Sequence, residues 1–537
     1  MSGDDDFEEV ESDIAPEGPA PDPDAGGSDF VEYGIEDKPP LGESALLGFQ
    51  HYLTMIGATV AIPLALAGTM GMPAEEVGKL IGTFFVVSGI ATLAQTTIGN
   101  RYPIVQGGTF SMLAPAIAII GVLGAQGAGW NLMLRELMGA VIVAGLVEVL
   151  IGYFGVMGAL KRYMSPVVIA PTIALIGLAL FNAPQIVNPA TTADVTGQNW
   201  WLLGLTLVLI VLFSQYLDKY HRTFRLYPVL LGIASAWVVA AVLSVTGVYG
   251  ADSVSYVDLG SVASASAVQA IYPFQWGMPQ FTPAFIIGMI AGMLASAIES
   301  FGDYHAVARM AGKGAPSKKR IDHGIGMEGL GNTFAGIMGT GNGSTSYTEN
   351  VGAIGITGVA SRYVVQIGAI VMIVAGYVGY VGQLFATLPA PIVGGLYIAM
   401  FGQIAAVGLS QLKFVDLDSN RNVFIVGIAL FAGLAIPAYM GNVAGGAAGF
   451  QEGMAEVALL GPVLGTEVVS TTVFVIGSTG MAVGGIIAFF LDNTIDGTPE
   501  ERGVTALEEL SEDDEDFESF WDRSGGPEGD ERAPGAD

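Results

Sequence analysis

The chain has 537 residues, 52% hydrophobic and only 13% charged, where a soluble domain carries about 25% charged residues. Apolar runs of roughly 18 or more residues recur along its length, which makes it a polytopic α-helical membrane protein and argues against a soluble enzyme. It has no cysteine, which excludes a disulfide framework and a thiolate metal site, and its net charge of −30 lies almost wholly at the two ends.

Residues 1–43 hold 15 Asp and Glu against one Lys, and residues 492–537 hold 17 against three Arg. Low hydrophobicity with high charge cannot bury a core, so both ends are expected to be acidic, disordered cytoplasmic tails. No basic stretch followed by an apolar one opens the chain, so no cleavable signal peptide is expected. Acidic soluble segments suit a very salty cytoplasm, which points to a halophile.

Hydropathy places spans at 44–66, 78–97, 104–125, 132–156, 164–184, 200–217 and 227–248. A polar connection, 249–280, follows, and further spans lie at 282–306, 324–340, 345–361, 362–386, 392–410, 421–437 and 467–491. With the N-terminus inside, the inner loops carry 14 Lys and Arg and the outer loops only Lys79 and Arg135. That bias predicts both termini cytoplasmic and 249–280 extracellular. Fourteen spans divide into repeats of seven, 44–248 and 281–491, and an odd-membered repeat must be inverted in the membrane, as in secondary transporters.

Spans three and ten are anomalous. One opens Tyr102-Pro103-Ile104-Val105-Gln106-Gly107-Gly108-Thr109-Phe110, the other Gly339-Thr340-Gly341-Asn342-Gly343-Ser344-Thr345-Ser346-Tyr347. Non-helical backbone at membrane depth survives only where protein or a cavity surrounds it, and interrupted segments at corresponding positions of two halves point to a binding site.

The ionisable residues gather around these runs. Glu299 and Asp303, spaced i, i+4, share one face of span eight. A charge at the bilayer centre costs about 2.5–3.5 kcal/mol on insertion scales, so both are functional candidates. Two carboxylates this close in low dielectric cannot both ionise cheaply, which suits reversible protonation in a transport cycle; the plainer role is as structural ligands. Glu349 and Asn350 open the helical part of span ten, and Phe110 and Ser111 hold the equivalent place in span three. Two half-helix N-termini would face each other with free N–H groups and partial positive charge. With Glu299 and Glu349 as acceptors and Phe110 against a ring face, they suit a neutral, planar, lactam-rich ligand and disfavour an inorganic anion. Asn350 alternatively caps its helix, and Phe110 alternatively packs the core. Gln50 and His51 stand at the entrance of span one, where a structural histidine is the plainer reading. His221, His305 and His323 lie near basic loops. Gly107-Gly108 has no downstream Gly-Lys-Ser/Thr and is no phosphate loop. No metal-ligand spacing, Ser-His-Asp set or nucleic-acid-binding patch is recognisable, and no cofactor is expected.

Glu349-Asn350-Val351-Gly352 through Thr357-Gly358 resembles the signature of the nucleobase–ascorbate transporters, also called nucleobase–cation symporter-2. Gln50-His51, Glu299-Ser300-Phe301-Gly302-Asp303-Tyr304 and Asp418-Ser419-Asn420-Arg421-Asn422 resemble further motifs of that family, over roughly 40–491. The resemblance implies a core of spans one to four and eight to eleven and a gate of the others. It further implies short antiparallel strands in spans three and ten, and a homodimer. It casts Glu299, Glu349 and Phe110 as substrate-binding, with Gln50 and His51 as a network behind the site. Glu349 resembles uracil transporters, whereas the eighth-span motif with Asp303 resembles purine and ascorbate members and Gly358-Val359-Ala360-Ser361-Arg362 resembles xanthine transporters. The expectation is plasma-membrane uptake of a nucleobase, uracil or xanthine, with a proton moving alongside through Asp303, Glu299, His51 and Gln50. The alternatives are sodium coupling, an ascorbate-like substrate, or an anion transporter of the same inverted fold.

Overall fold

The computed structural model describes residues 31–156, 163–187, 199–505 and Phe517. It is mostly helical, with two short strands. α1 (Leu41–Met70) and α2 (Ala74–Thr97) lead into a two-residue strand β1 (Gln106–Gly107), then α3 (Phe110–Ala125) and α4 (Trp130–Tyr153). α5 (Pro166–Leu178), α6 (Trp200–Val211, extended by a π turn to Tyr216) and α7 (Pro228–Val245) complete the first half. The second half holds α8 (Pro283–Met310), α9 (Lys318–Met338), strand β2 (Thr345–Ser346), α10 (Thr348–Thr357), α11 (Arg362–Tyr377) and α12 (Gly379–Ala386). It ends with α13 (Ala390–Ser410), α14 (Asn420–Gly441), α15 (Glu467–Gly477) and α16 (Gly480–Thr494).

The helices form two packing groups. α1 to α4 pack with α8 to α12, the closest pairs being α4 with α9 and α2 with α11. α5 to α7 pack with α13, α14 and α16, and the groups meet where α8 lies against α15 and α1 against α7 and α13. Helix association in lipid rests on close backbone approach, which small residues permit. At Gly152 of α4 an added Cβ would stand 2.2 Å from the backbone N of Gly326 in α9. That proximity brings polar side chains of the two helices together.

Several expected spans are interrupted. Span fourteen is a bent pair, α15 and α16 meeting at 92°. The turn falls at Ser478-Thr479, where Thr479 takes extended backbone. Span eleven breaks at Val378, whose backbone bridges to Val268 of the polar connection. Among the described residues six helices are long and apolar enough to cross a membrane, and the bent pair would make a seventh. Shorter apolar helices, including α3, α5 and α11, supply the rest of the hydrophobic length.

The described parts of the acidic ends are ordered, unlike the expected tails. Tyr33 bridges in parallel to Val359, the Ala360 N–H donates to Tyr33 O (2.8 Å), and Glu36 accepts from Arg101 (2.8 Å) and Arg362 (2.7 Å). At the other end Asp492, fully buried, pairs with Arg421 (2.9 Å) and Arg502 (2.7 Å). Cross-chain partners order both segments although their own composition is too polar to do so. Residues 1–30, and all beyond 505 except Phe517, lie outside the described residues.

Candidate substrate site

Strands β1 and β2 pair antiparallel, Gln106 opposite Ser346 and Gly107 opposite Thr345. The contact is tight: a Cβ at Gly107 would stand 2.2 Å from the Tyr347 ring. Two asparagines extend the pairing reciprocally. Asn342, before β2, accepts from Thr109 N (2.8 Å) and donates to Thr109 O (3.1 Å). Asn350, after β2, accepts from Val105 N through Oδ1 (3.0 Å). The backbone of each interrupted span is thus satisfied by the other, as burial at membrane depth requires. α3 and α10 begin directly after the strands, so their free N–H groups start on either side of one crossing.

Asn350 also contacts His51, Nδ2 to Nδ1, at 2.9 Å. Because the Val105 N–H fixes Oδ1 as the acceptor, Nδ2 is the donor. His51 must then accept at Nδ1, which makes it neutral and protonated at Nε2. Nε2 itself is buried and has no partner among the described residues. Gln50 is half-buried, and no side-chain hydrogen bond of it occurs among the described residues.

α8 supplies a polar face to β2. Asp303 is buried, accepting from Ser346 Oγ (2.7 Å) and Thr348 Oγ1 (2.8 Å). Ser300 Oγ lies 2.9 Å from both the Thr345 and Ser346 hydroxyls. Asp303 therefore braces the junction of β2 and α10 through side-chain hydroxyls. Glu299 and Glu349 differ from it: both are only half-buried, and a buried oxygen of Glu299, Oε2, has no partner among the described residues. Glu299 lies within electrostatic reach of Asp303, Glu349 and Glu328.

Phe110 is buried and meets Phe401 of α13 edge to face at 5.7 Å, and Phe401 stacks on Tyr397 at 5.0 Å. Its ring therefore sits at the seam of the two packing groups. Ser111 is fully buried, its hydroxyl 2.6 Å from Thr109 Oγ1.

Two carboxylates stand here that the sequence reading passed over. Glu328 of α9 accepts from Thr345 Oγ1 (2.8 Å), Ser296 Oγ (3.3 Å) and Tyr304 OH (3.1 Å). Glu148 of α4 accepts from Asn332 Nδ2, and Asn332 Oδ1 in turn accepts the Ser344 N–H. Both glutamates lie inside apolar runs, the same signal that singles out Glu299. No cluster of three or more His, Asp or Glu suited to a metal occurs among the described residues.

The sequence profile of a permease family matches residues 42–441. The chain belongs to the nucleobase–ascorbate transporter family. Solute carrier family 23 member 1 of Rattus norvegicus is 40% identical over 515 residues, covering 88% of this chain and 82% of its own. Nucleobase-ascorbate transporter 12 of Arabidopsis thaliana is 34% identical over 515 residues, covering 88% and 71%. The transmembrane domain of the cyanobacterial bicarbonate transporter BicA shares the fold, with a TM-score of 0.55 at 17% identity, over 75% of this chain and 98% of that one. Murine solute carrier 26 family member A9, an anion transporter in the inward-facing state, superposes with a TM-score of 0.53 at 12% identity, over 74% and 66%. The chain is therefore a multi-pass membrane transporter of the nucleobase and ascorbate class.

Proposed function

We propose that this transporter imports a neutral nucleobase, uracil or xanthine, across the plasma membrane in symport with a proton, with both termini cytoplasmic. The observation that carries the reading is the crossing of β1 and β2, with Glu299 and Glu349 the carboxylates that keep exposure beside it. Backbone N–H groups at the start of α10 donate to ring carbonyls, and the two glutamates accept from ring N–H groups. An inorganic anion would meet these carboxylates unfavourably, so the fold shared with anion transporters does not extend to the cargo. The first packing group acts as a mobile core and the second as a gate, in a molecule of fourteen spans that pairs as a homodimer. Phe110 travels with the core while its contact with Phe401 belongs to the gate. A proton entering down 100 mV supplies about 2.3 kcal/mol for accumulation.

Sodium is the second reading. The all-oxygen cluster of Asp303, Ser300, Ser346 and Thr348 has the hard donors that a small cation prefers.

Uptake of radiolabelled uracil, xanthine and ascorbate into proteoliposomes, with pH and sodium gradients imposed separately at high salt, tests both. Uracil or xanthine accumulation driven by the pH gradient alone is the expected result. Accumulation that needs sodium moves the coupling to the second reading, and transport of ascorbate alone overturns the nucleobase assignment.

A further inference from the structure

α9 ends at Met338, and a helix leaves its last carbonyls without partners in its own backbone. Gly339 takes left-handed backbone (φ +82°), and the N–H groups of Gly339 and Thr340 turn back to the carbonyls of Ala335 and Gly336. The next carbonyls are met by the polar connection instead. The Phe274 N–H donates to Ile337 O (2.9 Å), Gln275 Nε2 to Met338 O (3.3 Å) and Trp276 Nε1 to Gly339 O (3.0 Å). Three successive residues of one loop thus cap three successive carbonyls of a helix end. Phe274 is held for this at φ +58°, a backbone that bulky residues rarely adopt.

Trp276 is itself held from three sides. It is 5% exposed, meets Trp130 of α4 edge to face at 5.8 Å, and its carbonyl accepts from Asn131 Nδ2 (3.0 Å). The Lys79 ammonium of α2 lies 4.9 Å over its ring. The capped end opens directly onto the β1–β2 crossing. Gly339 is the first residue of the lead to β2, and a Cβ there would stand 2.3 Å from the Trp276 ring. Three residues on, Asn342 holds both backbone groups of Thr109, the residue before α3. Trp276 therefore reaches both sides of the crossing through the short path 339–342.

We infer that Trp276 is a positioning residue for the substrate site, fixing the α9 end so that Asn342 keeps the N-termini of α3 and α10 in register. The polar connection then belongs to the scaffold of the site as well as linking the two halves. Without the Nε1–H donor the buried Gly339 carbonyl loses its partner in the connection, and the lead to β2 shifts to regain one. The inference rests on the reading that substrate binds at the β1–β2 crossing.

The test compares Trp276→Phe, which removes the donor and keeps a ring against Trp130, with Gln269→Leu. Gln269→Leu cuts another bond of the same connection, Nε2 to Gly376 O of α11 (2.7 Å), away from the α9 end. In proteoliposomes Trp276→Phe should raise the KM for uracil or xanthine by about three- to tenfold at an unchanged maximal rate, the sign of lost uniform binding. Gln269→Leu should keep the parent's KM. Hydrogen exchange, read without substrate at one pH, should quicken over residues 340–347 in Trp276→Phe and not in Gln269→Leu. Gln275→Leu, which removes the neighbouring donor and spares the Trp276 ring, should move both readouts as Trp276→Phe does, and replaces it if that variant does not fold. An unchanged KM in a folded variant, equal KM changes in Trp276→Phe and Gln269→Leu, or faster exchange confined to residues 268–280 each overturn the inference. A parent that takes up neither base refutes the proposed function, and exchange over residues 340–347 then decides the bracing alone.

Discussion

Asn350 faces two partners with opposite demands: the Val105 N–H needs an acceptor and His51 Nδ1 needs a donor. Only a side-chain amide meets both. Asn350→Ala leaves two buried polar groups unpaired at about 1–3 kcal/mol each, and should lower the melting temperature in detergent as well as abolish uptake. Asn350→Asp keeps the acceptor for Val105 but requires His51 to donate from Nδ1, so melting should fall less than in the alanine variant while uptake is still lost. Glu299 makes the opposite case, since its Oε2 has no partner to lose among the described residues. Glu299→Gln should insert and melt like the parent yet fail to accumulate substrate against a gradient, and normal accumulation by it would remove Glu299 from the mechanism.

At the scale of elements, the β1–β2 crossing depends on a glycine that lets one strand lie under an aromatic ring. Gly107→Ala puts a Cβ 2.2 Å from Tyr347, which must displace the ring or part the strands. Substrate affinity measured by equilibrium binding should drop by about five- to 150-fold, at about 1–3 kcal/mol for the overpacking. The two interruptions were legible from sequence because Pro103, the glycines and the hydroxyl residues stand out against hydrocarbon-facing helices, while the antiparallel pairing of the two was implied only by the family resemblance. The break between α15 and α16 was not legible: both sides are apolar, and hydropathy sums across a bend. Glu148 and Glu328 carried the same signal as Glu299 but stood apart from the interrupted spans, and only the pairing of α4 with α9 brings them to β2. Residues 31–40 read as tail because their composition is polar, and the arginines that order them lie at 101 and 362.

At the scale of the whole molecule, each chain end closes one packing group with a carboxylate between two arginines: Glu36 on the first group and Asp492 on the second. Partial burial alone would push the Glu36 carboxyl up, but the Arg362 hydrogen bonds and charge, with the Arg101 charge, outweigh it and hold it below its ordinary value. A carboxylate held lower in the folded state stabilises that state above its unfolded value, and the contribution is lost as pH falls through the folded value. Protection of residues 31–40 against hydrogen exchange, taken relative to the intrinsic amide rate at each pH, should therefore fall as the pH drops below the ordinary carboxylate range, and Glu36→Gln should show low protection at every pH. The pairing of α4 with α9 also bears on how the protein is made. Glu148 bonds to Asn332, which is synthesised 184 residues later. At about 5–20 residues per second, α4 waits roughly ten to forty seconds on or in the bilayer with a glutamate within its apolar run and no partner for it. A nascent chain halted before α9 should thus hold α4 poorly in the membrane, and Glu148→Leu should cure that retention defect in the halted chain while harming the finished one.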